Sequence, residues 1–290
     1  MNRRNIRLKS IWLIYSRRII NKKNALLTVL IFILMNIYIS PVKGFSELAQ
    51  CKVSPWIFPF LVSDANFLML FMAGVIYFYS NLPFMQRTNS YYFLRIGRAR
   101  WILEQIVYII ISALIITSVS AILSIIALLP HLQFERGWGK VLYTLAKTDA
   151  GDMVGMFWNI SLQYIRNQLP IEAMAMTIFI VTMGITFLGM LMFLCSLYFH
   201  KIVSVIAATV MVIYSSTVAN VGHTLEKKFA MFSPVSWMRV TRIDVNQFGY
   251  RVSPSSLYII STFIFLIFVL ILLLYHKNKS VDFIWDNEEE

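Results

Sequence analysis

Charge is what this chain has least of. Only 14% of its 290 residues are Asp, Glu, Lys or Arg, where about 25% is usual for a soluble protein. Cysteine is nearly missing as well, with two in the whole chain, so a disulfide scaffold is excluded. Apolar residues fill the space instead, at 58% with tyrosine counted. On the usual set, which counts glycine and omits tyrosine, the share is about 57%, against a soluble norm of about 45–50%. So apolar a chain is not disordered. Nor can a soluble fold cover that much apolar surface with so few charges. What remains is an all-α polytopic membrane protein.

Acidic residues are the scarcer sign: 26 Lys and Arg face 14 Asp and Glu, a net +12. A surplus of that size can point to nucleic acid, but in a membrane chain it follows the placement of loops. A spanning helix needs about 20 mostly apolar residues. Six stretches qualify, at 25–42, 57–79, 101–129, 170–199, 202–221 and 257–275. The third and fourth are longer than one bilayer requires, so they tilt or project. Only His200-Lys201 separates the fourth from the fifth, which predicts a tight helix–helix turn. With the N-terminus inside, fifteen of the 26 cations fall on inner segments, eight of them before the first span. The outer segments carry the rest, offset by acids such as Glu135, Asp149, Asp152, Glu226 and Asp244. The positive-inside rule therefore predicts a multi-pass cell-membrane protein with both termini cytoplasmic and no nucleic-acid partner.

Two targeting signals compete with the first span. Some 24 residues of mixed basic and apolar character precede it, too many for a secretory signal peptide. Leu48-Ala49-Gln50-Cys51 looks like a lipoprotein cleavage box, but Gln50 stands where a small residue is needed. Cys51 then reads as an unpaired thiol in an outer loop, and Cys195 as a small packing residue within a span.

The segments outside the spans have their own patterns. In residues 1–24, Leu8, Ile11, Trp12, Tyr15 and Ile19 recur at helical spacing while Arg7, Lys9, Arg17 and Arg18 fall largely on other faces. This predicts an amphipathic helix in the inner interface, facing membrane lipid; a plain basic tail is the alternative. Residues 81–100 form an inner loop that Pro83 opens by stopping the second span. Its arginines Arg87, Arg95, Arg98 and Arg100 surround Tyr91, Phe93, Leu94 and Ile96, with Trp101 at its end. Arg and aromatic side chains of this kind suit a docking surface, and they equally suit a loop that only sets topology. The outer loops 131–169 and 222–255 are large. The first has a polar turn, Asp149-Ala150-Gly151-Asp152, and then Phe157, Ile160, Tyr164 and Ile165 at helical spacing. The second mixes Lys227, Lys228, Arg239, Arg242 and Arg251 with Phe229, Phe232, Trp237 and Phe248, as expected of surface or re-entrant helices in the headgroup layer or the lip of an export path. A short tail, 276–290, is placed inside.

Chemistry-bearing motifs are absent. There is no His-Glu-x-x-His, no Gly-x-Ser-x-Gly and no phosphate-binding loop, since Gly137-Trp138-Gly139-Lys140 has the wrong spacing. No potassium-type filter or arginine-spaced voltage sensor occurs. The chain is therefore expected not to be an enzyme, with no catalytic residue, metal ligand or bound cofactor. Ionisable groups within spans are functional candidates by default. Glu104 and Glu172 lie near span ends. Asp64 lies deepest, either as a polar contact on a translocation path or as the N-cap of a helix starting at Ala65, with 57–62 a shallow interfacial lead-in. Asn66, Asn220, Thr117, Ser118 and Ser120 suit hydrogen bonds between helices.

Taken together, the interfacial N-terminal helix, six spans, basic loop between spans two and three and tight turn between spans four and five resemble the permease subunit of an ABC-2 type transporter. Leu82-Pro83-Phe84 with Tyr91-x-x-Leu94-Arg95-x-Gly97-Arg98-x-x-Trp101 looks like the loop of such permeases from Gram-positive bacteria. Phe232-Ser233-Pro234-Val235-Ser236-Trp237 looks like the Pro/aromatic element before their last span. The resemblance covers most of the chain as architecture and about 25 residues as motif. It implies that 83–100 is the coupling helix for a separate ABC ATPase subunit, which would hold ATP and magnesium. Pro83, Arg87, Tyr91, Leu94, Arg95, Gly97, Arg98, Arg100 and Trp101 would form that docking loop. It also implies a second permease subunit, the same or homologous, and export of an amphiphilic peptide, drug or lipid-like molecule past Asp64, Asn66 and Glu172. The long loop 131–169 departs from the simplest members. A membrane sensor or immunity protein that binds peptides through its outer loops, without transport, is the alternative reading. An ion-coupled carrier, which would need Asp64, Glu104 or Glu172 to titrate in the membrane, is a third.

Overall fold

A computed structural model of the chain describes residues 22–82, 98–220, 229–243, 246–247, 250–251 and 254–277. The expected interfacial helix before residue 22, residues 83–97 of the expected loop 81–100 and the tail beyond Lys277 lie outside the described residues.

Long uninterrupted apolar runs make helices here because every backbone group can be satisfied within the segment. Among the described residues, five helices are long and apolar enough to cross a membrane. They are α1 (Lys22–Leu48), α4 (Arg98–Ala127), α8 (Pro170–Tyr198), α9 (Lys201–Asn220) and α10 (Ser256–Lys277). Between them lie α2 (Phe58–Ser63), α3 (Ala65–Tyr79), α5 (Gly139–Lys147), α6 (Ala150–Met153) and α7 (Leu162–Asn167). Two 3-10 turns, Ser236–Met238 and Val240–Arg242, and a hairpin of two-residue strands, β1 (Asn246–Gln247) and β2 (Tyr250–Arg251), precede α10.

The second expected span differs. It is broken at Ser63-Asp64 into α2 and α3, and neither half is long enough to cross alone. At about 1.5 Å per residue, the 15 residues of α3 rise only about 22 Å, short of a hydrocarbon core of about 30 Å. The first span also extends six residues beyond its expected end at Val42, running through Pro41 to Leu48. Lys43 Nζ donates to Asn36 Oδ1 at 3.2 Å across that proline, and Ser46 Oγ donates to Cys51 O at 2.6 Å just past the helix.

α8 is the axis of the bundle, packing against α3, α4, α9 and α10. Two glycines let its neighbours come close. A Cβ at Gly189 would lie 2.8 Å from Ile109 Cγ2 and 3.2 Å from the Tyr79 ring, and one at Gly184 would lie 2.6 Å from Met238 Sδ. α9 presents Ser204, Ala208, Val212 and Ser215 inward, small side chains of the kind that let membrane helices pack closely. Its opposite face is Ile202, Ile206, Val210 and Ile213, all exposed. α1 repeats the pattern, with Leu27, Ile31, Met35 and Tyr38 buried and Leu26, Leu30, Ile33 and Ile37 exposed. In water those outward faces would be polar; branched aliphatics there fit hydrocarbon as the solvent.

The helices alternate between two ends. At one end Trp101, at the start of α4, meets Phe193 near the end of α8 edge-to-face at 5.7 Å, and Lys277 of α10 lies over the Tyr198 ring. At the other, loop-rich end, Val53 pairs with Leu132 in a parallel bridge, joining the segments after α1 and α4. α3 ends where the Tyr79 hydroxyl meets Ser112 Oγ at 2.8 Å and Ile109 O at 3.2 Å, about 16 Å into α4. α4 and α8 therefore run on past the end of α3.

Thr117, Ser120 and Asn220, expected to bond between helices, bond backward within their own: Thr117 Oγ1 to Ala113 O, Ser120 Oγ to Ile116 O, Asn220 Nδ2 to Ser216 O. An i−4 carbonyl is always within reach of a helical hydroxyl, so no neighbouring helix is needed.

Candidate functional site

The break between α2 and α3 sets a serine and an aspartate among the packed helices of the loop-rich half. Pro59 at the start of α2 has no N–H to lose there. Ser63 Oγ turns back to donate to Pro59 O at 2.7 Å, and Asp64 leaves the helix with an extended backbone. Its Oδ1 accepts from Phe67 N at 2.8 Å, which makes it the N-cap of α3.

A break exposes backbone groups that a continuous helix would satisfy. Here the segment after α9 covers them. Arg239 Nε donates to Ser63 O at 2.9 Å, and Thr241 N donates to Ser63 Oγ at 3.0 Å. Arg239 is only 7% exposed, packed within the protein. Trp237 is buried beside it in sequence, edge-to-face with Tyr258 and Phe263 of α10 at 6.0 and 5.1 Å. The segment 233–243 thus re-enters the bundle, because its Val235, Trp237, Met238 and Val240 are apolar enough to be buried there.

Above this junction α5, α6 and α7 form a layer fastened by indoles. Trp56 Nε1 donates to Glu135 O, Trp138 Nε1 to Gln168 O and Trp158 Nε1 to Tyr38 O, each at 2.9 Å. Phe60, Trp138 and Tyr164 pack as a trio with centroids 5.1–6.2 Å apart. α7 starts only at Leu162, so Phe157 and Ile160, expected on the same helix as Tyr164 and Ile165, precede it. Ser161 caps α7 by accepting from Tyr164 N. The Tyr164 hydroxyl is buried and has no partner among the described residues, and burial pushes its pKa well above the usual phenol value.

Two clefts flank α7. One, of about 60 Å3, is neutral; Tyr164, Asn167 and Gln168 face Met176 of α8 and Val240 and Thr241 of the re-entrant segment there. The other, of about 430 Å3, is wider and open, and Glu135, Trp138, Lys140, Tyr143 and Arg166 line it. Neither lining, as described, holds a nucleophile beside a base.

The residues expected on a translocation path are not gathered into one site. Asp64 is committed to its cap, while Asn66 and Glu172 are exposed; among the described residues no hydrogen bond or ion pair links the three. Glu172 sits in the first turn of α8, where a carboxylate suits the helix dipole. Of the expected docking loop, Pro83, Arg87, Tyr91, Leu94, Arg95 and Gly97 lie outside the described residues, as does the side chain of Arg98, although Arg98 begins α4. Arg100 is exposed and Trp101 is buried against Phe193.

Gln105 and the pairing of Ser63 with Thr241 were not anticipated. Gln105 is buried in α4 with its Oε1 unpaired among the described residues, and a lone amide in Trp101–Ile111 was a readable signal. Ser63 and Thr241 gave none, being ordinary residues 178 positions apart.

If Asp64 acts as a cap, Asp64→Asn should leave stability nearly unchanged, and Asp64→Ala should lower it by about 1 kcal/mol. Thermal unfolding of the purified variants measures both. A carrier that titrates Asp64 would instead change its pH dependence on Asp64→Asn.

No family model, curated protein or solved structure matches this chain.

Proposed function

We propose that this chain is the membrane-spanning permease subunit of an ATP-driven ABC exporter, in which α2 and α3 together serve as the sixth crossing. The observation that carries the reading is the order of helices around α8. Five membrane-length helices and the broken pair α2–α3 follow one another along the chain, α8 and α9 joined through Phe199-His200 alone, and the Pro/aromatic segment ahead of α10 is tucked against the axis. This is the arrangement that the sequence resemblance implies. The end carrying Trp101, Tyr198 and Lys277 is then cytoplasmic, and the loop around Arg95 and Arg98 receives the ATPase subunit. A second permease subunit pairs with this one, and the path between them carries an amphiphilic substrate.

The layer α5–α7, which is part of the segment joining α4 to α8, lies at the outer end in this reading and is tied to the segment joining α1 to α2. A closed arrangement of the path holds the Ser63-Asp64 break against Arg239; ATP-driven movement of the cytoplasmic ends reaches that break through α3.

Purification of the tagged full-length chain from its own membranes tests this. The expected result is a co-purifying ATPase whose recovery falls at least about tenfold with the charge-reversing pair Arg95→Glu and Arg98→Glu, as loss of interface arginines predicts. The same pair should abolish ATP-dependent export of an amphiphilic dye. Full activity with no ATPase bound would overturn the exporter reading and favour the peptide-binding sensor.

A further inference from the structure

We propose that the wide cleft between the start of α5 and the end of α7 is a binding site for the zwitterionic headgroup of a membrane phospholipid. The inference does not depend on the exporter reading; it needs only the cleft and its depth.

The cleft has two chemical poles. Lys140, in the first turn of α5, and Arg166, near the end of α7, bring two cations to it from different elements. A phosphodiester is the anion such a pair suits, with arginine presenting a planar fork and lysine a point charge. Glu135 brings one carboxylate, and Trp138 and Tyr143 bring aromatic rings. A carboxylate beside aromatic faces is the environment an ammonium group prefers. A phosphate and an ammonium joined by a short linker would meet both poles at once. Among the described residues none of Glu135, Lys140 and Arg166 enters an ion pair, so the poles are not spent on each other.

The depth is right for a headgroup. Glu135 directly follows Phe134, which is 77% exposed, and Gln168, which holds the Trp138 indole, directly precedes Leu169, which is 64% exposed. Phe134 follows the membrane-length helix α4 and Leu169 directly precedes the membrane-length helix α8, so these exposed apolar side chains provide places for acyl chains to lie.

The cleft is also built in advance. Ser54 Oγ donates to Trp138 O, and the Trp56 indole holds the Glu135 carbonyl. Gly139 takes φ +76°, and a Cβ there would come within 3.2 Å of Ser54 Cβ. With the backbone fixed this way, little ordering is left for a ligand to impose. The segment Gly137-Trp138-Gly139-Lys140, which is no nucleotide loop, thereby gains a use.

The test uses the full-length chain in detergent, titrated with short-chain phosphatidylethanolamine, short-chain phosphatidylglycerol and soluble glycerophosphoethanolamine, with binding read by native mass spectrometry. Phosphatidylethanolamine is expected to bind at least about tenfold more tightly than either of the others. Lys140→Gln and Arg166→Gln should each weaken it about tenfold, the usual scale for losing a charge-assisted contact. Glu135→Gln should remove the preference over phosphatidylglycerol without weakening phosphatidylglycerol itself. All three side chains are exposed, and unchanged melting of the variants confirms that they fold. Equal binding of both lipids by the native chain, or native-like binding by both cation variants, would overturn the proposal. Equal binding of the soluble headgroup would overturn a lipid as the ligand.

Discussion

Replacing Gly189 with leucine should cost about 3 kcal/mol of stability, the upper part of the range for forcing volume into a packed interior. Ile109 and Tyr79 already stand where a Cβ would go, and neither can retreat cheaply. Ile109 belongs to the long helix α4, and Tyr79 is held by its hydrogen bonds to Ser112 and Ile109. The leucine would therefore prise α8 away from α3 and α4 together. Gly44→Ala is the control: nothing lies within 4 Å of its would-be Cβ, so the change should be neutral or stabilise α1 by up to about 1 kcal/mol. Unfolding of both variants in mixed micelles, with added SDS and helicity as the readout, measures the difference. Similar midpoints for the two would show that α8 does not pack as closely as described.

The long helices were legible because their signal is local. An apolar run of 20 or more residues has one physical outcome in a bilayer, and α4, α8, α9 and α10 begin and end within about three residues of where the runs do. The first span fails at its far end, since the polar residues from Lys43 to Glu47 continue the helix where composition says to stop. The two readings of Asp64 could be told apart only by the backbone, which settles on the cap. Arg239 could not be placed from sequence at all. A cation among aromatics looks like a headgroup residue, and only the distant Ser63 carbonyl gives it a reason to be buried. Asn66 and Glu172 stand out in the sequence as polar residues near spans, and their exposure is something that the sequence does not record.

Truncating Arg239 to alanine is the second large effect, expected at about 2–3 kcal/mol. A hydrogen bond to a charged group contributes about 1.5–3 kcal/mol, and the Ser63 carbonyl would be left without that donor. Deleting a buried charge returns its desolvation cost, so the net loss stays below the sum of the contacts removed. Ser63→Ala approaches the same joint from the other side. It strips the acceptor from the buried Thr241 N–H, for about 1–3 kcal/mol. Because both changes open one junction, the double variant should cost clearly less than the two added together. The same micellar unfolding measures all three. Additive losses, or single losses under about 0.5 kcal/mol, would mean that the re-entrant segment merely rests on the break.

The Ser63-Asp64 break also sets a timetable for biogenesis. Its two long-range hydrogen bonds close loops of 176 and 178 residues, so their donors leave the ribosome only after α8 and α9 have been made. Until then α3 is a short apolar segment whose entrance carries a serine carbonyl and an aspartate with no cover from the rest of the chain. Lipid offers such groups no partner. α3 therefore cannot settle when it is synthesised. It must wait at the membrane surface or in the insertion machinery for the chain's last third, which makes completion of this fold a late, nearly all-or-none event.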